Sequence, residues 1–332
     1  MARKKKKNKT LRKIILTLLI LLVLFIVLLF ISGGEEENES LKAEGSIQNL
    51  ELPRPVENEQ IIRHTGYTLS YNEDAECASW VAYELTRSEV LSQAAERDDD
   101  FREDDAVLTG SASLADYRKS GYDRGHLAPA ADFKWSEEAM SDTFYMSNMT
   151  AQNPSFNRGI WADLEAIVRT NAYYSGSLYV VTGPVLTDGP YERIGENGVA
   201  VPKRFYKVLL SYSEDEVKAI AFILENENSD RRLESFATSV DEAEEITGLD
   251  FYPALPDEIE NAVESSYDTS LWSFEIYLPD DAEYSSDDIS YVAPQSGLDR
   301  IWQEIMSLVY ELKKDFFELT ETEDIARAVG LL

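Results

Sequence analysis

The chain has 332 residues, 44% of them hydrophobic, with 13 Phe, 18 Tyr and 5 Trp, which supports a real core and excludes a disordered polymer. Its formal charge of −31 excludes a broad basic footprint of the kind that holds nucleic acid by charge alone. The single cysteine, Cys77, excludes an internal disulfide and a zinc site built on thiolates, and reads as a small buried hydrophobe.

Residues 1–13 form a basic segment carrying Arg3, Lys4, Lys5, Lys6, Lys7, Lys9, Arg12 and Lys13. An apolar run from Ile14 to Ile31, broken only by Thr17, follows it and predicts a transmembrane anchor over 14–32. The basic cluster holds the N-terminus in the cytoplasm, so the expected location is the cell membrane, single-pass, with an extracellular domain. A cleaved signal peptide is the rival reading, but Phe30-Ile31-Ser32-Gly33-Gly34 has no Ala-x-Ala pattern. Without those eight basic residues the remainder carries 23 positive against 62 negative charges, a net of −39. A polyanionic substrate must therefore be engaged locally, through a metal ion and a few arginines.

Residues 33–60, rich in Gly, Glu, Asn and Ser and later holding Pro53 and Pro55, read as a polar stalk. A globular domain is expected over 61–262, and its texture is plain from Tyr67 onward. Trp80–Leu85 is strand-like, 96–105 is a charged loop, and Asp123–His126 is a short strand running into a loop before Pro129. After Pro154 the spacing of Ile160, Trp161, Leu164, Ile167 and Val168 predicts an amphipathic helix with Asn157 at or near its N-cap. Leu178–Thr182 reads as a buried strand closed by Gly183-Pro184, and 205–210 with 219–224 as a strand pair. The core is expected to close near Pro253–Pro256. Residues 263–332 divide into an acidic linker and an amphipathic helix built on Leu298, Ile301, Trp302, Ile305, Leu308, Val309, Leu312, Phe316 and Leu319.

The chemistry concentrates around Tyr122-Asp123-Arg124-Gly125-His126, which holds one of only two histidines. Histidine alone exchanges a proton near neutral pH at its ordinary pKa. Two residues apart on an extended segment, Arg124 and His126 share a face, offering a cation and a base. Asp123 points to the other face and reads as a brace, while Gly125 permits a close approach. Asn157, Trp161, Glu165 and Arg169 stand four apart, as one drifting helical stripe. An asparagine carbonyl is a hard ligand suited to Mg²⁺, and Glu165 can hold one of that ion's waters. Together these residues suggest a metal-assisted hydrolase acting on phosphodiesters.

The chain resembles the DNA/RNA non-specific endonucleases of the ββα-metal superfamily, the family that includes mitochondrial endonuclease G. The resemblance lies in Asp123-Arg124-Gly125-His126, in Asn148-Met149-Thr150-Ala151-Gln152, and in Asn157-Arg158-Gly159-Ile160-Trp161 with Leu164-Glu165. It covers roughly residues 66–262. It implies an α+β fold: a central antiparallel sheet flanked by helices, with a ββα-metal element at the site, here joined to the N-terminal transmembrane helix. It implies DNA and RNA as substrates and Mg²⁺ as cofactor, with Mn²⁺ able to substitute. By position, His126 would be the general base, Asn157 the one direct metal ligand, and Glu165 the residue steadying a water of that ion. Arg124 would contact the scissile phosphate, Asn148 would order the site, and Arg169 would be a second cationic contact. The family has a further arginine upstream of its His motif, for which Arg97 and Arg102 are both candidates. A homodimer is compatible with the family, and membrane contact falls to the one N-terminal helix.

Blander readings exist for each residue. Asn157 alone is a helix N-cap, Glu165 and Arg169 are an i, i+4 ion pair, Trp161 is core, and His64 is structurally incidental. Two rival functions also remain: a hydrolase of another phosphodiester, or an inactive surface binding protein on the same fold.

Overall fold

The computed structural model describes residues 41, 43, 45–213 and 216–276. All of these but residue 41 belong to one compact unit, 42–332. The basic segment, the anchor over 14–32 and the C-terminal helix lie outside the described residues. Among the described residues, no helix is long and apolar enough to cross a membrane.

Eleven strands are described: β1 (Gln60–Arg63), β2 (Thr68–Asn72), β3 (Cys77–Thr86), β4 (Asp123–His126), β5 (Met149–Gln152), β6 (Ser177–Pro184), β7 (Glu192–Ile194), β8 (Val199–Val201), β9 (Arg204–Tyr212), β10 (Val217–Glu225) and β11 (Ala237–Thr238). The helices are α1 (Arg87–Leu91), α2 (Leu114–Tyr117), α3 (Glu137–Asp142), α4 (Pro154–Asn157), α5 (Ile160–Ser175), α6 (Val240–Thr247) and α7 (Asp257–Glu264). Seven strands make a central sheet in the order β1-β2-β3-β6-β9-β10-β11, with every neighbouring pair antiparallel. The expected α+β architecture, a central antiparallel sheet flanked by helices, is what the chain adopts.

Both faces of this sheet are covered, and the period-two alternation of strand side chains shows how. Val81, Tyr83, Leu85, Leu178, Val180, Phe205, Leu209, Ile220 and Phe222 point to one side. There they meet Trp161, Leu164, Ile167, Val168 and Ala172 of α5. Trp80, Ala82, Val181, Tyr206, Val208, Leu210, Ala219 and Ala221 point to the other, against Val240 and Ala243 of α6 and Val263 of α7. Each such fully buried aliphatic side chain contributes about 1.5–3 kcal/mol of transfer free energy. Because both faces are apolar, β9 and β10 read as hydrophobic runs in the sequence, 205–210 interrupted by Lys207 and 219–224 unbroken.

Two local readings change, and that of Cys77 holds. The strand expected to close at Gly183-Pro184 continues through it, with Gly183 paired to Tyr206 and Pro184 to Phe205. A Cβ at Gly183 would lie 2.4 Å from Ser79 O and 2.6 Å from the Tyr206 hydroxyl, so glycine here admits a neighbour instead of ending a strand. The apolar core runs beyond Pro253–Pro256, because Val263 and Trp272 are buried, and at the other end it takes in Leu50. Cys77 is buried, as a small apolar residue would be.

Candidate active site

Outside the large sheet, β4 and β5 form a two-stranded antiparallel ribbon, with Gly125 opposite Thr150 and Asp123 opposite Gln152. The chain then turns directly into α4 and α5, so two strands and the helical segment after them bring the motif residues together. A Cβ on Gly125 would sit 2.1 Å from Gln152 Cδ. The glycine is therefore required by the fully buried Gln152 side chain packed across the ribbon.

Arg124 and His126 leave β4 on the same face and meet the same ring. The Arg124 guanidinium lies 4.2 Å from the Phe101 centroid, and the His126 ring lies 5.7 Å from it. Phe144 packs edge-on against His126 at 5.1 Å and T-shaped against Phe101 at 5.0 Å. The imidazole is thus held by two aromatic side chains, and its Nε2 is buried without a hydrogen-bond partner. Burial, helped by the positive charges of Arg97 and Arg124, pushes His126 down to about 3, although Asp99 pulls the other way. At neutral pH this histidine is uncharged.

Asn148 is fully buried and fully used. Its Oδ1 accepts from Ala128 N at 2.9 Å, and its Nδ2 donates to Ala128 O at 2.9 Å and to Thr143 O at 2.8 Å. It clamps the chain two residues beyond His126. That is ordering, with no polar group left over for a substrate.

Asn157 and Trp161 do not share one continuous helix. Helix α4 ends at Asn157, and Gly159, at φ −112° and ψ −120°, caps the start of α5. A Cβ on Gly159 would meet Asn228 Oδ1 at 2.3 Å and Ser155 O at 2.5 Å, and that same Asn228 Oδ1 accepts from Ile160 N at 3.3 Å. The cap comes from a distant residue, so Asn157 is not the N-cap. Its Nδ2 donates instead to Asp123 Oδ2 at 3.0 Å. Its Oδ1 accepts no hydrogen bond among the described residues, and it is an oxygen of the hard type that a divalent cation takes. Asp123 is three residues along β4 from His126, about 10 Å at strand rise.

Glu165 and Arg169 are on α5, but they do not pair with each other. Arg169 NH1 donates to Asp132 Oδ1 at 2.8 Å, and Tyr83 donates to the other oxygen of Asp132 at 2.8 Å. The Glu165 carboxylate takes no hydrogen bond among the described residues. Burial raises its pKa, against the pull of Lys207, Arg169 and Arg97. A partly free oxygen donor at Asn157 and an unengaged carboxylate at Glu165 fit a hydrated hard cation held by few protein groups.

A family model described as DNA/RNA non-specific endonuclease matches residues 46–258, well over half of the chain. The chain belongs to that family. This nuclease is 38% identical over 209 residues to human "Endonuclease G, mitochondrial", covering 59% of this chain and 70% of that protein. It is 36% identical over 221 residues to "Nuclease C1" of Cunninghamella echinulata, covering 62% and 88%. It also matches the EndoG of a solved EndoG/EndoGI inhibition complex, with a TM-score of 0.56 and 34% identity over 59% of this chain and 86% of that one. The nuclease is accordingly a phosphodiester hydrolase acting on nucleic acid.

The two upstream arginines of the nuclease separate by geometry. Arg102 NH1 donates to Asp100 Oδ2 at 2.9 Å and to Ser141 O at 2.8 Å, and its guanidinium lies 3.8 Å from the Tyr145 centroid. Arg97 pairs with the exposed Asp99 at 2.7 Å and its guanidinium lies 5.1 Å from the centroid of Phe144, the ring packed on His126, and its charge reaches both His126 and Glu165. Arg97 is the one that faces the site. His64 is more than incidental: its Nε2 bonds Asp104 Oδ2 at 3.0 Å and its ring stacks 4.7 Å from Tyr145.

Lys207 is the residue that sequence reasoning missed. It is fully buried on β9, 3.1 Å from Thr182 Oγ1 and 4.7 Å from the Trp161 ring, and burial lowers its pKa while Glu165 raises it. Its signal was a lone lysine inside the apolar run 205–210. Asp132, the partner of Arg169, carried no signal.

Proposed function

We propose that this nuclease cuts DNA and RNA internally, using His126 as general base and a Mg²⁺ ion (Mn²⁺ substituting) held by Asn157. The observation that carries this reading is an uncharged imidazole bordered by Arg97 and Arg124, on the strand whose Asp123 orients Asn157. With Nε2 enclosed, Nδ1 of His126 is the nitrogen left to take a proton from an attacking water. Arg124, with Nε buried and unpartnered, and Arg97 supply positive charge where the phosphoryl oxygens gain negative charge. The bound cation would neutralise charge on the phosphate and its leaving oxygen. Glu165 would hold a water beside that cation. The charge of Lys207, buried against Trp161, favours an ionised Glu165, and Asn148 fixes the chain beside His126.

The location is inferred from the sequence: a basic cluster followed by an eighteen-residue run, apolar but for Thr17, argues for one N-terminal membrane helix and an extracellular nuclease domain. A net charge of −39 beyond that helix favours modest, salt-sensitive binding, and it is the one feature that suits a different, less charged phosphodiester.

The test is digestion of plasmid DNA, RNA and small phosphodiesters by the full chain, with and without EDTA. Wild type should degrade both nucleic acids only with metal, and His126→Ala should lose on the order of 10²–10⁴ in rate. Degradation unchanged in His126→Ala would remove the imidazole from the mechanism. Faster turnover of small phosphodiesters than of nucleic acid would favour the alternative substrate.

A further inference from the structure

Helices α6 and α7 lie on the sheet face opposite α5, and between them three carboxylates converge. One ligand atom each from Asp241, Glu244 and Glu264 lies within 4.8 Å of the others. Oxygens of one Ca²⁺ shell lie at most about 4.6–5.2 Å apart at bond lengths of about 2.3–2.6 Å, so the three atoms are close enough to share one ion. The three differ in exposure: Asp241 is exposed, Glu244 intermediate, and Glu264 is 5% accessible.

Glu264 is the telling member. Its Oε1 is buried and has no hydrogen-bond partner. A buried carboxylate oxygen with nothing to bond is costly unless a cation or proton meets it. The charged groups acting on it are Glu244, Glu260, Asp241 and Asp250, all acidic. The nearby cation, Arg54, is taken by Asp250. Glu244 already has one oxygen fixed, since Oε1 accepts from Phe251 N at 2.7 Å.

We propose that Asp241, Glu244 and Glu264 form a second divalent-cation site, selective for Ca²⁺, that fastens α7 to α6. An irregular set of carboxylates around a partly open position suits Ca²⁺, which accepts six to eight oxygens in flexible geometry, while Mg²⁺ demands a near-ideal octahedron. Neither histidine nor cysteine is among the three ligands, which disfavours zinc. The exposed Asp241 leaves one side open for water to complete the shell. Glu264 lies beyond residues 46–258 that the family model matches, so the third ligand comes from a segment outside the shared nuclease region. The role is structural: the ion ties the last helix of the described domain to the sheet without touching the catalytic face.

The experiment is thermal unfolding and calorimetric titration of the full chain after EDTA treatment, with CaCl₂ or MgCl₂ as the probe. Ca²⁺ should raise the wild-type Tm by on the order of 5 °C at a hundredfold excess over Kd. The rise should vanish in Glu264→Gln, persist in Asn157→Ala, and leave the Mg²⁺-supported nuclease activity of Glu264→Gln at the wild-type level. Should Glu264→Gln fail to fold, Asp241→Asn at the exposed edge should weaken Ca²⁺ at least tenfold. The proposal fails if wild type shows no Ca²⁺-dependent rise, if the rise survives both carboxylate variants, or if Asn157→Ala abolishes it. An equal rise with Mg²⁺ at the same concentration would overturn the selectivity.

Discussion

Asn157 Nδ2 donates to Asp123 Oδ2 at 3.0 Å, and this contact ties the end of α4 to the start of β4. It also fixes which end of the amide faces away from the strand. Asp123 is shared, because Arg158 Nε and NH2 bond the same carboxylate at 2.8 and 2.7 Å from a largely exposed position.

Asp123→Ala should free the Asn157 amide and weaken the activating metal by about 10–100-fold, with much of the rate restored at high metal. Arg158→Ala should change metal affinity little, since an exposed ion pair is worth at most about 1 kcal/mol. Metal titrations of cleavage rate compare the two. Equal losses would mean that Asp123 acts on the site by another route.

Arg97 and Arg102 should fail in different ways. Arg97→Ala should lower kcat/KM by about 10–100-fold, or about 1.4–2.7 kcal/mol of transition-state stabilisation, and leave Tm unchanged. Arg102→Ala removes three hydrogen bonds and the Tyr145 contact, so Tm should fall by several degrees with kcat/KM within about twofold. Steady-state kinetics and melting curves together decide it, and a reversed pattern would exchange their roles.

Gly125→Ala should destabilise the domain by about 1–3 kcal/mol, because its Cβ meets a buried Gln152 side chain at 2.1 Å. Shortening the neighbour should relieve the clash, so the double variant with Gln152→Ala should recover part of that loss. Urea denaturation of the two single variants and the double gives the coupling energy. Strict additivity would show that the contact is not the cause.

The pH dependence of stability has a definite sign at His126. Its folded pKa, about 3, lies below the ordinary value of 6.5, so the unfolded chain binds the proton first. Its contribution is complete above 6.5 and is lost as pH falls from 6.5 toward 3. Wild type should therefore lose stability relative to His126→Asn across that window, with a slope approaching about 1.4 kcal/mol per pH unit. Parallel stability curves for the two proteins would mean that the imidazole is more solvated than its burial indicates.

Much of the site could be read before any coordinates. Short-range rules sufficed wherever the chemistry is local: Arg124 and His126 fall on one face of a strand because side chains alternate, and Asp123 points away for the same reason. The buried strands 205–210 and 219–224 were visible as apolar runs. Asn157 misled because an asparagine before a helical pattern is usually its cap, and the competing cap, Asn228, is 71 positions downstream of Asn157 in the chain. Glu165 and Arg169 sit one turn apart, yet Asp132 captures the arginine from another loop.

The sequence by itself determined the class of fold and the motif residues, because periodicity and spacing are properties of neighbouring residues, and those motifs carry the resemblance to the family. Tertiary structure alone decided which arginine faces the imidazole, where Asn157 sends its amide, and that Lys207 is buried against Trp161 with its charge acting on Glu165. Those choices depend on burial and on partners tens of residues away, and electrostatic and hydrogen-bond energies are set by distance in space, not along the chain.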